Sequence, residues 1–238
     1  MMYQPPPSQQ DFTFQQPISL QERRVAFLRS VYLWLMGGFG VAALGAYASY
    51  ATLETFTAPL MNKMGGGFMW LLFGAQMGAI FFAQAVSRKK PLNLLAYSLF
   101  TLISGYVAGL ICLMYVHAIP NGWNILLTAA GLTALDFLLL SAIAFVSKKD
   151  FSFLRNFIIV GVGIFFFGGI IAAIFHLELM SLAFAAVAVI ACSAKILYDT
   201  SNMLRTDDFS DPAGFALSLF VSLYNIFISL LRIMGGRR

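Results

Sequence analysis

Seven stretches of twenty or more mostly apolar residues recur along this chain, and nothing constrains its fold more. They cover residues 30–50, 68–87, 92–116, 124–147, 154–175, 179–204 and 212–234. About 20 apolar residues in a helix cross the hydrocarbon core of a bilayer. Lipid offers the backbone no hydrogen-bond partner, so each stretch predicts a membrane-spanning helix. A soluble fold is excluded by quantity: 60% of the 238 residues are hydrophobic and 11% charged, against about 45–50% and 25% in a soluble domain. The expectation is an all-α, seven-helix membrane bundle forming one domain over residues 22–238. Residues 1–21, rich in Gln and Pro, read as a disordered cytoplasmic tail. They lack the apolar core of a signal peptide, so the first stretch is expected to stay as an anchor.

The joints carry their own signals. Arg88, Lys89 and Lys90 precede Pro91 at the start of the third stretch, where proline suits a helix opening. Gly65, Gly66 and Gly67 mark a flexible link, and Pro120-Asn121-Gly122 a turn. Asp211 before Pro212 is a cap-and-start pair for the last helix. Frequent glycines within the stretches, among them Gly105 and Gly109, predict close helix packing.

The net charge of +5 does not point to nucleic acid, because the basic residues fall in short clusters between apolar stretches. With the N-terminus inside, the inner segments hold Arg23, Arg24, Arg29, Arg88, Lys89, Lys90, Lys148, Lys149, Arg155 and Arg205; the outer ones hold Lys63, Arg232, Arg237 and Arg238. Ten against four predicts a cytoplasmic N-terminus, with the seventh stretch crossing.

Ionisable groups inside the apolar stretches are the informative exceptions, since each costs about 2.5–3.5 kcal/mol to insert. Three stand out: Asp136, Lys195 and Asp199. Lys195 and Asp199 are four apart and share a helix face. Lys195 also falls near the depth of Asp136, which suggests that it bridges the two carboxylates. Two acids and one base leave a spare negative charge for a proton or a cation. The same trio also reads as a structural ion pair that fixes helix register.

Other polar residues carry less. His117 and His176 sit at span ends, and His176 with Glu178 is too sparse for a metal site. Gln76 and Gln84 are expected to bond across helices. Cys112 and Cys192 lie within apolar stretches without metal or disulfide spacing and read as small filler. There is no P-loop and no GxSxG, and no metal site or cofactor is expected beyond weak Ca²⁺ binding at the carboxylates. An intramembrane aspartyl protease needs two carboxylates sharing a proton; its second motif, Gly-x-Gly-Asp, is absent, so no enzyme activity is expected.

Ile196-Leu197-Tyr198-Asp199-Thr200-Ser201-Asn202-Met203-Leu204 resembles the signature of the Bax inhibitor-1 (TMBIM) family. So do Ser222-Leu223-Tyr224-Asn225-Ile226-Phe227-Ile228-Ser229-Leu230-Leu231-Arg232-Ile233-Met234-Gly235 and Lys149-Asp150-Phe151-Ser152-Phe153-Leu154. The likeness covers roughly residues 22–235 and places Tyr198, Thr200, Asn202, Ser222 and Asn225 at motif positions. It implies a seven-helix bundle with the last helix central. It also implies one of two roles: modulation of a membrane-anchored AAA protease of the FtsH type in the bacterial inner membrane, or a pH-sensitive calcium leak. In calcium-leak members an Asp on the sixth helix, matched by Asp199, shares a proton with an Asp on the seventh. That second position here is Ser222, as the resemblance implies for the protease-modulator branch. Asp136 and Lys195 stand where the family has uncharged residues.

Overall fold

The computed structural model describes residues 19–147, 149–175 and 177–236. Residues 1–18, Lys148, His176, Arg237 and Arg238 lie outside the described residues, and so do the expectations that fall on them. Helices follow in the order α1 (Leu20–Ala51), α2 (Ala58–Met64), α3 (Gly67–Val86), α4 (Leu92–Ala118), α5 (Gly122–Ser147), α6 (Leu154–Ile174), α7 (Glu178–Arg205) and α8 (Pro212–Gly235). All except α2 are long and apolar enough to cross a membrane. The described residues contain no strand.

Helix α1 starts at Leu20, well before the apolar stretch it carries. Ser19 caps it reciprocally: its hydroxyl accepts from Glu22 N at 3.2 Å, and Glu22 Oε2 accepts from Ser19 N at 2.9 Å. Residues 19–21, assigned to the tail from composition, therefore begin the helix. At about 1.5 Å per residue α1 is roughly 48 Å long, so its first turns, with Arg23, Arg24 and Arg29, extend beyond the ~30 Å apolar core.

The first link is more ordered than its glycines suggest. A π-helical turn, Leu53–Thr57, leads into α2. It is held by a buried hydroxyl cluster: the Tyr106 hydroxyl lies 3.0 Å from Thr52 Oγ1 and 2.7 Å from Thr57 Oγ1. Gly65 ends α2 at φ +55°, a conformation that favours glycine.

Helix α8 is the centre. It packs against α1, α3, α4, α5 and α7 and buries, among others, Leu217, Leu219, Phe220, Leu223 and Ile226. The Phe220 ring meets Tyr97, Phe100, Phe39 and Tyr224. Around it, α1 and α4 approach closely. A Cβ on Gly105 would overlap the backbone of Ala42, and one on Gly45 would overlap Leu102 O. Without a hydrophobic drive between helices in lipid, such backbone approach is what holds the pair together.

Candidate functional site

The site grows out of the α7–α8 hairpin. Asp211 caps α8, accepting from Gly214 N at 2.8 Å, and Pro212 fills the first helical position. Asp199 lies six residues before the end of α7, and Ser218 lies six after the start of α8. In an antiparallel hairpin these distances place both about 9 Å into the bundle. They meet: the Ser218 hydroxyl donates to Asp199 Oδ2 at 2.6 Å. From one turn deeper on α7, Lys195 Nζ reaches the same oxygen at 2.6 Å and also donates to the Ser218 hydroxyl. The Asp199 side chain is 10% exposed and that of Lys195 25%, so the trio is largely removed from its surroundings.

Asp136 has a different partner. The Ser193 hydroxyl donates to Asp136 Oδ2 at 2.9 Å, and the ion pairs of Lys195 include Asp199 but not Asp136. The bridge expected from depth therefore does not form. The reason is direction. At 3.6 residues per turn, Ser193 and Lys195 are about 200° apart around α7. The first faces α5 and the second faces α8. Cys192, buried beside them, still lies within electrostatic reach of Lys195, Asp136 and Asp199 alike.

The motif positions scatter around this cluster. Tyr198 is half-buried and Asn202 exposed. Thr200 is fully buried with no partner for its hydroxyl. Ser201 donates to Lys149 O at 3.1 Å, tying α7 to the α5–α6 link. Ser222 is buried but bonds back to Ser218 O at 3.0 Å, and Asn225 bonds back to Val221 O at 2.8 Å. The α8 hydroxyl at Asp199 is thus Ser218, one turn before the residue singled out from the sequence. Ser193 and Ser218 were both missed. Only the equal spacing of Asp199 and Ser218 from the link could have shown the second.

Gln76 bonds across helices as expected, donating to Ser104 at 3.1 Å. Gln84 is exposed and makes no such bond. His117 is exposed, with Nδ1 2.8 Å from Leu113 O of its own helix.

Beneath the trio, ion pairs knit the helix ends at the basic face. Asp207 meets Arg24 at 3.2 Å, Asp208 meets Arg88 at 3.2 Å, and Asp211 meets Arg88 at 3.6 Å, so the α7–α8 link is tied to α1 and to the α3–α4 link. Asp150 meets Arg205 at 3.1 Å. Hydrogen bonds from Ser210, then the Arg88 charge, hold Asp208 below the usual carboxylate range; Ser152, then Arg205, does the same for Asp150.

The pattern of the family described as Inhibitor of apoptosis-promoting Bax1 matches residues 24–238. The chain belongs to the Bax inhibitor-1 family. A Vibrio cholerae membrane protein is 34% identical over 190 residues, covering 80% of this chain and 81% of its own. The modulator of FtsH protease YccA of Escherichia coli K12 is 31% identical over 208 residues, 87% of this chain and 89% of its own. The same coverage and identity hold for the inner membrane protein YccA of Escherichia coli O6:H1.

Within the Bax inhibitor-1 frame, the trio is a poor fit to calcium. That ion takes about six to eight oxygen ligands. Here the Asp199 carboxylate already holds an ammonium and a hydroxyl. Among the described residues no three of His, Cys, Asp and Glu gather as a metal site.

Proposed function

We propose that this protein is a regulator in the bacterial inner membrane that restrains degradation of membrane proteins by an FtsH-type, membrane-anchored protease. The observation that carries this reading is the likeness to a modulator of FtsH protease over 87% of the chain. The geometry at Asp199 agrees with it. A tethered ammonium sits on the acid, as befits a locked structural joint rather than an open ion path. The same reading takes the chain to be no enzyme: Asp136 and Asp199 bond different serines and share no hydrogen bond.

The test is co-purification of the full chain with the protease from native membranes, together with turnover of a membrane substrate. Association, with faster turnover after deletion of the gene, is expected. Absence of both effects would overturn the reading. A chain lacking residues 1–18 asks whether the Gln/Pro tail makes the contact. The basic clusters support a cytoplasmic N-terminus, and reporter fusions at each end test it.

The competing reading, a pH-sensitive calcium leak through Asp199, is answered by flux into proteoliposomes. Wild type and Asp199→Asn are expected to be equally tight. Calcium entry in wild type that Asp199→Asn abolishes would restore the leak.

A further inference from the structure

A cleft of about 560 Å³ lies between α1, α4, α5 and α8, and no Asp, Glu, Lys, Arg or His lines it. The backbones of α1 and α5 stay apart, and the two helices meet at the rings of Tyr32 and Phe137, 6.3 Å between centroids. The cleft's mouth is framed by exposed mid-helix residues of those two, Phe39 and Ala43 on one side and Ala130 and Ala134 on the other. Its opening therefore faces the hydrocarbon of the bilayer.

We propose that this cleft seats one acyl chain of a membrane phospholipid. Three observations lead there. First, its lining is almost wholly apolar. The buried Thr133 hydroxyl donates to Ala129 O at 2.8 Å. A polar ligand would find no orienting group, which a polar-ligand site needs. Second, the space is too small for a helix. Two turns with side chains, ~10 Å across and ~11 Å long, need roughly 850 Å³. That excludes a partner's membrane helix or a second copy of this chain seated by its helix. Third, the walls are small and the floor is large. Ala46, Gly109 and Ala134 leave a slot over Phe220 and Phe227, and an unfilled slot forfeits the dispersion contacts of its lining. A flexible hydrocarbon chain from the surrounding lipid suits the cleft's volume and its apolar lining. It would rest on α8 and α5, the helices that carry Ser218 and Asp136.

The experiment uses the full chain in vesicles of phosphatidylethanolamine and phosphatidylglycerol. These are doped with a phosphatidylcholine bearing a diazirine in one acyl chain, then irradiated and analysed by peptide mass spectrometry. Adducts at Ala46, Cys112 and Phe227 should exceed those at Leu138 and Val146, on the outer faces, several-fold. Ala134→Trp, or Ala43→Phe from the opposite wall, should abolish the cleft adducts and leave the outer ones. Should one filled variant fail to fold, the other and the wild-type ratio still decide. Native mass spectrometry after detergent extraction should show one phospholipid retained by wild type and lost from the filled variants. Equal labelling of cleft and outer faces would mean ordinary annular lipid and overturn the proposal. So would cleft residues cross-linking to another polypeptide or to a second copy, or a cleft that stays unlabelled while the outer faces react.

Discussion

Two aspartates lie inside this bundle, and the protein treats them differently. Asp199 is buried between α7 and α8 and meets an ammonium and a hydroxyl at a single oxygen. Asp136 is half-buried between α5 and α7 and meets a hydroxyl alone. Both sit on helices long and apolar enough to span, and the insertion cost of the residue type is the same. What differs is the compensation. An ion pair taken out of water is costly to make and costlier to break, because either partner left alone is an uncompensated charge. A single acid beside a serine has no such dependent. The comparison teaches that Lys195 exists for Asp199, and that Asp136 is a separate local matter.

The comparison breaks or sharpens most strongly at Asp199→Leu. It strands the Lys195 ammonium beside one hydroxyl, and a loss of about 3–5 kcal/mol is expected, read as the thermal midpoint in detergent. Lys195→Met leaves Asp199 in the position Asp136 already occupies, with only a hydroxyl. A loss of about 1–3 kcal/mol is expected there, and the double variant should recover most of either deficit. A double-mutant cycle should give clear coupling for Lys195 with Asp199 and much less for Lys195 with Asp136. Equal coupling would revive the three-way bridge. Asp136→Asn keeps an acceptor for Ser193 and should shift stability by less than about 1 kcal/mol.

The smallest effects belong to the ion pairs at the helix ends. Arg24→Ala should cost less than about 1 kcal/mol, and less still in high salt, because Asp207 is largely exposed. Asp208 and Asp150 titrate with a definite sign. Each is held below its ordinary value in the folded chain. Their contribution is therefore complete above the unfolded Asp value of about 3.9 and is lost as pH falls through the lowered folded value. Hydrogen-exchange protection factors across residues 206–211 should be flat from neutral pH down to about 3.9 and fall as the pH drops from there through the lowered folded value. A fall near neutrality would assign the change to another group.

Much of the bundle was legible before any coordinates. Apolar length located the seven long helices, because a backbone in lipid has no structure to adopt but a helix. Asp211-Pro212 marked the start of α8 because the capping chemistry is local. What lay beyond reading was anything requiring direction. The capped turn at Ser19 was hidden by the composition of the tail around it. The π turn after α1 depends on Tyr106, about fifty residues away in the chain. The choice of Ser218 over Ser222, and of Ser193 over Lys195 as the partner of Asp136, turned on which side of a helix faces which neighbour.

The sequence by itself determined the solvent, the helix count among the long apolar stretches, and the three charges that needed an explanation. Those follow from transfer energies and from repeats along one dimension. Only the tertiary structure decided which serine answers each aspartate, and that the backbones of α1 and α5 stand apart over an apolar slot. Each of those depends on the rotation of one helix against another, which packing fixes and a string of residues does not record.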